Sequence, residues 1–236
     1  MVYAEILAGG IGTRMNDTNS LPKQYLSINN KPVIIYTIEK FLHNKYVDKI
    51  IIGCQDNWKQ LLKQLIEQYI DKTLTNNIYI YSSGKDRNTT MINGCLFIKK
   101  FFNVYDDDII ITIDATRMLV SDEIITNNIL SAQNHSAVVT LFPVVDTIAL
   151  SHNYEYLDDI PERASLYSLQ APETFNLKKL IKYYYNVSDE EKATLTCVSK
   201  LFLLNGEKVF IVNGNYNNIK ITYTNDLNII KNMLDN

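Results

Sequence analysis

The sequence predicts an α/β fold, in which helices flank a mostly parallel β-sheet and a β-arm protrudes from it. Short apolar runs alternate with amphipathic stretches in the first half of the chain, which is the pattern of repeated βαβ units. A long Asp- and Tyr-rich stretch without helical period follows at 144–170. The 236 residues are 46% hydrophobic and 21% charged and contain no evident linker. We therefore expect one domain over residues 1–236.

The elements of the first half follow from their hydrophobic patterns. Val2 to Leu7 is an apolar-rich run that predicts a buried first strand. Residues 32–43 carry apolar side chains at helical spacing, which predicts an amphipathic helix. Ser121 is placed to cap a later helix. The remaining predicted strands lie at 47–53, 77–81 and 108–113, and the remaining helices lie at 57–70, 88–102 and 122–133.

The pattern changes in the second half of the chain. Residues 144–170 are extended in character, and an irregular loop of that length is uncommon in a compact domain. A protruding β-hairpin arm is the interpretation that we favour. Ser188 followed by Glu191 predicts a capping box at the start of a helix. Further helices are predicted at 176–185 and 224–235, and short strands at 209–212 and 219–222.

Three polar segments follow strands of the predicted sheet. A glycine-rich turn follows the first strand, the turn Gly84–Arg87 follows the third, and Asp114 follows the strand at 108–113. In a Rossmann-like parallel sheet, ligands bind beyond the carboxyl ends of the strands. We therefore expect these three segments to meet at one edge of the sheet and to form the functional site.

The glycine-rich turn, L-A-G-G-I-G-T-R-M, has the chemistry of a polyphosphate site. Its glycines allow a tight turn that brings backbone N–H groups against an anion. Arg14 and Lys23 add two positive charges beside it. The spacing matches neither the P-loop nor the G-x-G-x-x-G pattern. A glycine turn without function and a surface ion pair are the structural alternatives.

Charge and cysteine content limit the classes of function. The net charge of −3 argues against a surface that coats nucleic acid. Three dispersed cysteines suggest reduced intracellular thiols. The sequence carries neither a signal-peptide pattern nor an apolar run of membrane-spanning length. We expect a cytoplasmic protein that needs neither nucleic acid nor a membrane as a partner.

The motifs L-A-G-G-x-G-T-R-M, P-K-Q-Y-L and K-P-V-I together resemble those of the cytidylyltransferases that act on small polyol phosphates, the ribitol-5-phosphate and methylerythritol-phosphate enzymes. The resemblance covers essentially the full chain. It implies transfer of CMP from CTP to an alditol phosphate, first of all D-ribitol 5-phosphate. The products would be pyrophosphate and CDP-ribitol, a precursor for teichoic-acid or capsular polymers.

The resemblance also implies roles for individual residues. Arg14, Lys23 and Lys220 match cations that stabilise the phosphates during catalysis. The nucleotide-binding positions are Leu7, Ala8, Gly9, Gly10, Gly12, Thr13, Arg14, Lys23, Gly84, Arg87 and Thr90. For Arg87, a structural anchor is the alternative to a phosphate contact.

The resemblance further implies a Mg²⁺ ion, an acceptor site and a homodimer. Asp114 is a candidate Mg²⁺ ligand, and Asp226 is a candidate second-sphere partner. A turn former and an ordinary first-turn helix residue are the alternatives for these two aspartates. Arg117, Thr147 and Arg163 are expected to bind the acceptor phosphate, the last two from an arm that reaches over the neighbouring subunit's site.

Three segments depart from the family pattern. D-A-x-R-P-F becomes D-A-T-R-M-L, T-P-Q becomes A-P-E, and T-D becomes T-C. These changes lie in the substrate half, so the acceptor is less defined than the nucleotide. L-A-G-G favours the ribitol-phosphate type. The open alternatives are the methylerythritol-phosphate enzyme, a glycerol- or other alditol-phosphate enzyme, a sugar-1-phosphate nucleotidyltransferase and a CTP-binding regulatory protein without turnover.

Overall fold

The computed structural model describes residues 1–10 and 21–235, and a seven-stranded sheet forms its centre. In chain order the strands are β1 (Val2–Ala8), β2 (Ser27–Ile28), β3 (Lys31–Pro32), β4 (Lys49–Cys54), β5 (Ile78–Ser82), β6 (Ile109–Asp114), β7 (Ala137–Pro143), β8 (Tyr167–Asn176) and β9 (Phe210–Asn213). The order across the sheet is β5-β4-β1-β6-β8-β7-β9, while β2 and β3 form a separate pair.

The sheet is mostly parallel. β1 lies between β4 and β6 and runs parallel to both, and β5 continues that half. β8 is the exception, because it runs antiparallel to both β6 and β7. The prediction of an α/β fold with a mostly parallel sheet is confirmed. Because β1, β4, β5 and β6 are parallel, their carboxyl ends meet at one edge.

Eight α-helices are described, and together they cover both faces of the sheet. They are α1 (Val33–Leu42), α2 (Lys59–Tyr69), α3 (Arg87–Phe101), α4 (Asp122–Ala132), α5 (Leu177–Asn186), α6 (Asp189–Ala193), α7 (Ser199–Leu204) and α8 (Thr224–Asp235). Alternate residues of β1 face opposite sides. Ala4 and Ile6 pack in the core formed with α1, α2 and α4, whereas Tyr3 and Leu7 pack in the core formed with α3, α5 and α7.

Both predicted helix caps are present. The Ser121 hydroxyl accepts the backbone N–H of Ile124 at 3.2 Å. Ser188 and Glu191 form the reciprocal capping box at the start of α6. Each of these contacts satisfies a backbone donor that the first turn of a helix leaves without an internal partner.

Two predicted elements differ from the structure. The strand expected at 219–222 is absent from the described residues, because this segment is tied to loops: Ile221 N donates to Thr116 O at 3.1 Å, and Lys23 Nζ donates to Ile221 O at 2.8 Å. The expected arm ended at 170, but β8 already begins at Tyr167 and continues through 171–176 into the sheet. The helix α7 was not predicted.

Between β7 and β8 the chain leaves the sheet for residues 144–166. This excursion, which we call the arm segment, has one isolated bridge, between Leu150 and Asp159. Its apolar side chains are largely exposed, as Val145 and Leu157 illustrate. It contains no α-helix. None of the described helices is both long enough and apolar enough to span a membrane.

Candidate active site

A cavity of about 370 Å³ opens at the carboxyl ends of β1, β4, β5 and β6. It brings together the three segments that the sequence analysis singled out. The described residues that line it are Leu7, Gly9, Gly10, Lys23, Gln24, Gln55, Gly84, Lys85, Asp86, Arg87, Thr90, Asp114, Ala115, Thr116 and Lys220.

Two glutamine side chains hydrogen-bond to the backbone carbonyls at the start of the glycine turn. Gln24 Nε2 donates to Ala8 O at 2.8 Å and to Gly10 O at 3.0 Å. Gln55 Nε2 donates to Gly9 O at 3.0 Å. With these carbonyls engaged, residues 8–10 at the end of β1 have a fixed course. A side chain at Gly9 would collide with Ser83 Cβ at 2.6 Å, so the two loops can approach only because Gly9 lacks one.

The second wall of the cavity is the start of α3. The Asp86 side chain accepts the N–H of Thr89 and caps the helix. Thr90 Oγ1 accepts the N–H of Gly84 at 3.0 Å and donates to Asp86 O at 2.7 Å. A side chain at Gly84 would meet the Thr89 backbone. The helix N-terminus and its partial positive charge therefore face a cavity suited to an anion.

Asp114, at the end of β6, is the centre of a cluster of charges. Its carboxylate lies 3.0 Å from Lys220 Nζ and 3.5 Å from the Nε atoms of both Arg87 and Arg117. Its side chain is 13% exposed. Burial raises the pKa of Asp114, but Arg87, Lys220 and Arg117 outweigh burial and lower that pKa to about 2. The carboxylate is therefore ionised at neutral pH.

Arg87 has a second carboxylate partner, which the sequence analysis did not assign to the site. Its Nη2 lies 3.0 Å from Oε1 of Glu173, which is fully buried on β8. Burial lowers the pKa of Arg87, but Glu173 and Asp114 together raise it above its ordinary value. The guanidinium is therefore a fixed cation whose orientation is set by two different strands.

Lys23 and Lys220 add positive charge to the cavity. Lys23 Nζ donates to Ile221 O, and Lys220 Nζ pairs with Asp114. Both side chains line the cavity. Predicted residues Gly12, Thr13 and Arg14 lie outside the described residues, so their placement is not part of this geometry.

The remaining predicted residues lie away from the cavity lining. Ala8 is buried beneath it, where its carbonyl is held by Gln24. The Arg117 side chain is largely buried and donates through Nη1 to Asn218 O at 2.6 Å. Thr147 and Arg163 lie on the arm segment, and Arg163 Nη1 donates to Val145 O at 3.2 Å.

Asp226 lies in the first turn of α8. Its Oδ2 accepts the backbone N–H groups of Thr222 and Tyr223 at 2.7 and 2.8 Å. Asp226 does not appear in the cavity lining. This geometry favours the helix-start role for Asp226. The second-sphere metal role stays a prediction.

Sequence reasoning missed the residues that support the site from beneath. Gln24 was visible within P-K-Q-Y-L, but only the fold shows that it holds two carbonyls of the glycine turn. Gln55 and Glu173 belong to segments far away in the chain. Glu173 carried a signal, because A-P-E departs from the family's T-P-Q. Its burial against Arg87 could not be read from that departure.

A second, larger cavity lies at the opposite edge of the sheet, around the start of β1. Asp48, Asp106 and Asp107 contribute to its lining. Such an environment repels phosphate groups, whereas the cavity at the carboxyl ends carries Lys23, Lys220 and Arg87. Of these two cavities, charge therefore favours the smaller one as the candidate active site.

Fold and cavity together define a class of protein. A parallel sheet with a glycine turn after β1, and with fixed cations and the ionised Asp114 carboxylate at its carboxyl edge, is the arrangement of a nucleotide-binding α/β protein. None of the described lining residues is a histidine or a cysteine. The site thus offers charge stabilisation, as phosphoryl-transfer chemistry requires, and offers no histidine or cysteine nucleophile there.

Comparison with known proteins identifies the family within that class. The model of the 2-C-methyl-D-erythritol 4-phosphate cytidylyltransferase (IspD) family matches residues 2–236. This chain belongs to that family. It is 41% identical over 235 residues to the ribitol-5-phosphate cytidylyltransferase of Streptococcus pneumoniae (strain ATCC 700669 / Spain 23F-1), with 100% of this chain and 99% of the relative covered. The protein of the same name in the Hungary19A-6 strain is 40% identical, with the same coverage.

Solved structures agree in fold. The 4-diphosphocytidyl-2C-methyl-D-erythritol synthase of Anaerococcus prevotii DSM 20548 matches with a TM-score of 0.82 and 26% identity, covering 100% of this chain and 96% of that one. The 2-C-methyl-D-erythritol 4-phosphate cytidylyltransferase of Francisella tularensis matches with a TM-score of 0.79 and 24% identity over 97% of both chains. The prediction of the cytidylyltransferase family is confirmed.

Proposed function

We propose that this chain transfers CMP from CTP to D-ribitol 5-phosphate and releases CDP-ribitol and pyrophosphate. The observation that carries the proposal is the 41% identity over the whole chain to ribitol-5-phosphate cytidylyltransferase. The cavity supports it, because a glycine turn, four cationic residues and the ionised Asp114 carboxylate lie at the edge where nucleotides bind in such sheets.

The chemistry explains why cations dominate the site. A phosphate oxygen of the acceptor attacks the α-phosphorus of CTP, a new P–O bond forms, and the bond to the bridging oxygen of the β-phosphate breaks. The nucleophile is already an anion, so the step needs no strong base. The obstacle is the meeting of two anions. Fixed positive charges that stabilise the developing charge therefore supply the main part of catalysis.

Individual residues can be placed in this reaction. Lys23 and Lys220 line the cavity and can approach the phosphates. Arg14 belongs to the same glycine turn by sequence and adds a third charge. Gly84 and Thr90 form the compact wall against which the cytosine ring and ribose would lie. Arg87 is held by Asp114 and Glu173. This geometry is compatible with a structural role for Arg87 as well as with direct contact to a phosphate.

A Mg²⁺ ion fits this site through one protein carboxylate together with the substrate phosphates. No group of three His, Cys, Asp or Glu side chains that could hold a metal occurs among the described residues. Mg²⁺ in nucleotide sites is commonly held by one or two carboxylates together with substrate phosphates. Asp114, ionised at the cavity, fits as the protein's ligand. When bound, the ion would neutralise charge on the triphosphate.

The choice of acceptor follows from the sequence comparison. Identity is 41% to a ribitol-phosphate enzyme and 26% to a methylerythritol-phosphate enzyme of known structure. The altered D-A-T-R-M-L and A-P-E segments lie near the site, so a glycerol- or other alditol-phosphate acceptor is the alternative to test. CDP-ribitol would serve the synthesis of teichoic-acid or capsular polymers.

A homodimer completes the proposal. The arm segment exposes Val145, Leu157 and Ile160. An isolated hairpin-like excursion of this kind is marginal in water and needs a surface to pack against. We place Thr147, Arg163 and Arg117 at the acceptor phosphate, the first two in the neighbouring subunit's site. Free thiols at Cys54, Cys95 and Cys197 support a reducing compartment, the cytoplasm.

The experiment is a turnover assay with purified protein, Mg²⁺ and a panel of acceptors, in which pyrophosphate release is measured. We expect rapid release with CTP and D-ribitol 5-phosphate, slower release with glycerol and methylerythritol phosphates, and none with ATP or GTP. The product is checked as CDP-ribitol by mass spectrometry. CTP binding without turnover on any acceptor would favour the regulatory alternative, and preference for methylerythritol phosphate would refute the acceptor proposed here.

A further inference from the structure

Glu5 is a carboxyl group buried beneath the nucleotide-binding wall. It lies on β1 and is fully buried. The structure describes no ion pair to Glu5, and its Oε2 has no hydrogen-bond partner within residues 1–10 and 21–235. A buried carboxylate without a cation is costly, whereas a neutral carboxyl is tolerated if it is hydrogen-bonded. A fully buried glutamate at this position is therefore expected to have a specific role.

Tyr81 supplies the hydrogen bond and restricts how it can be made. Its hydroxyl oxygen lies 2.6 Å from Glu5 Oε1 and 3.1 Å from the carbonyl oxygen of Thr90. A phenol has one hydrogen and can donate to only one of these acceptors. If Glu5 carries a proton, it donates to Tyr81, and Tyr81 donates to Thr90. Both short contacts are then hydrogen bonds.

Burial favours the protonated carboxyl over the ionised one. Tyr81 faces Glu5 from β5, and Arg87 and Cys95 face it from α3. Burial raises the pKa of Glu5 well above its usual value and outweighs the lowering by Tyr81 and Arg87. Burial and Glu5 also raise the pKa of the Cys95 thiol, which stays neutral.

Two glycines make room for this pair. A Cβ at Gly94 of α3 would collide with Glu5 Oε1. A Cβ at Gly53 of β4 would lie 2.5 Å from the Tyr81 hydroxyl and 2.7 Å from Thr90 Cγ2. Any side chain at either position would force Glu5 or Tyr81 out of place. The polar pair therefore fills space that the glycines of α3 and β4 leave open for it.

The hydrogen bonds continue from this pair to the cavity. Tyr81 reaches the carbonyl of Thr90, and the hydroxyl of the same Thr90 accepts the Gly84 N–H at 3.0 Å. Gly84 and Thr90 both line the cavity, whereas Glu5 and Tyr81 do not. The buried carboxyl is thus joined to the cavity wall through Tyr81 and Thr90.

We propose that Glu5 is a positioning residue for nucleotide binding: as a neutral carboxyl it orients Tyr81, which fixes Thr90 and the Gly84 turn against the pyrimidine nucleotide. This inference rests on the proposed function only for the identity of the nucleotide. The role of Glu5 differs from that of the cations. Glu5 affects the affinity for CTP and leaves acceptor binding and the chemical step unaffected.

The test measures the dissociation constant of CTP with Mg²⁺ by calorimetry, without an acceptor, for Tyr81→Phe, Glu5→Leu and Glu5→Gln. Tyr81→Phe and Glu5→Leu each break the chain, and we expect affinity to fall roughly five- to tenfold, the size of one hydrogen bond. Glu5→Gln keeps a neutral donor toward Tyr81 and should remain within about twofold of the wild type. Tyr79→Phe is the matched control, because Tyr79 is on the same strand and packs against Phe102.

A second readout needs no nucleotide. Hydrogen exchange of the backbone amides at 83–90 should be faster in Tyr81→Phe and Glu5→Leu and unchanged in Glu5→Gln. Unchanged exchange in folded Tyr81→Phe, or equal losses in Glu5→Gln and Glu5→Leu, would overturn the proposal. If wild-type protein fails to bind CTP, the proposed function fails, and the exchange data still decide whether Glu5 positions this loop.

Discussion

The Lys220 ammonium nitrogen lies 3.0 Å from Oδ2 of Asp114. The residue that we place on the phosphates is therefore held, before any ligand binds, by the carboxylate that we propose as the Mg²⁺ ligand. Arg87 and Arg117 approach the same carboxylate at 3.5 Å. A preorganised cluster of this kind can stabilise developing negative charge without first rearranging.

Removing a single fixed cation should slow turnover without unfolding the protein. We expect Lys220→Met, Lys23→Ala and Arg14→Ala each to lower kcat by a factor on the order of 10²–10³, which corresponds to about 3–4 kcal/mol of charge stabilisation. Steady-state assays with CTP and D-ribitol 5-phosphate measure this. Lys63→Met, at an exposed position of α2, is the matched control. Unchanged kcat in any one of the three variants would contradict the electrostatic mechanism.

Gly84→Ala should weaken CTP binding. The added Cβ would lie 2.5 Å from Thr89 Cβ and 2.7 Å from Thr90 N, so the backbone at the start of α3 must move. We expect a loss of affinity on the order of tenfold, since one displaced wall contact is worth about one hydrogen bond. Calorimetric titration with CTP gives the result. The thermal unfolding midpoint shows whether the fold is retained. Full affinity for CTP in the folded variant would mean that the cytosine ring does not bind against Gly84.

Breaking the pair between Arg87 and Glu173 should destabilise the protein strongly. Glu173→Leu leaves the Arg87 guanidinium with Asp114 as its remaining ion-pair partner, and loss of one buried partner costs on the order of 3–5 kcal/mol. Urea unfolding measures this free energy. The double variant Arg87→Met/Glu173→Leu should recover most of the loss, because no charge stays unpaired. A double variant as unstable as Glu173→Leu would assign the loss to packing.

Asp114 should make stability depend on acid pH. Its pKa is about 2 in the folded protein and 3.8 in the unfolded chain, so folding favours the ionised form. The corresponding stabilisation, about 2 kcal/mol, is present above pH 3.8 and is lost as pH falls through about 2.

Urea unfolding at pH 5, 3.5 and 2 tests this for the wild type and Asp114→Asn. From pH 5 to pH 2, the free energy of unfolding of the wild type should fall by about 2 kcal/mol more than that of Asp114→Asn. Asp107→Asn, at an exposed position, is the control variant. A pH-independent difference between wild type and Asp114→Asn would mean that the three cations do not lower the carboxyl pKa.

Mixing two impaired variants should test the dimer. We expect Arg163→Ala to weaken use of the alditol phosphate and to spare CTP binding, because Arg163 lies on the arm segment away from the nucleotide cavity. Mixed with Arg14→Ala, it should recover part of the activity, since one site of a mixed dimer would contain both residues. Activity is measured after subunit exchange, with mixed dimers verified by mass spectrometry. A fully active monomer, or no recovery in verified mixed dimers, would mean that the arm acts within its own chain.

The local elements and the cytidylyltransferase family could be predicted from the sequence. Hydrophobic periodicity and caps such as Ser121 and Ser188 depend on residues a few positions apart, so short windows contain the information. The convergence of Gly9, Gly84 and Asp114 also followed from the rule that parallel strands end at one edge. The structure places all three in the cavity lining.

Only the tertiary structure decided which distant residues support the site. Glu173 meets Arg87 across 86 positions, and Glu5 meets Tyr81 across 76. No local pattern encodes such pairs, because their energies depend on burial and on the packing of separate strands and helices. The sequence alone determined the family, the glycine turn and its neighbouring cations. The fold determined how the carboxylates and the tyrosine hold that cavity in shape, since only burial gives those contacts their strength.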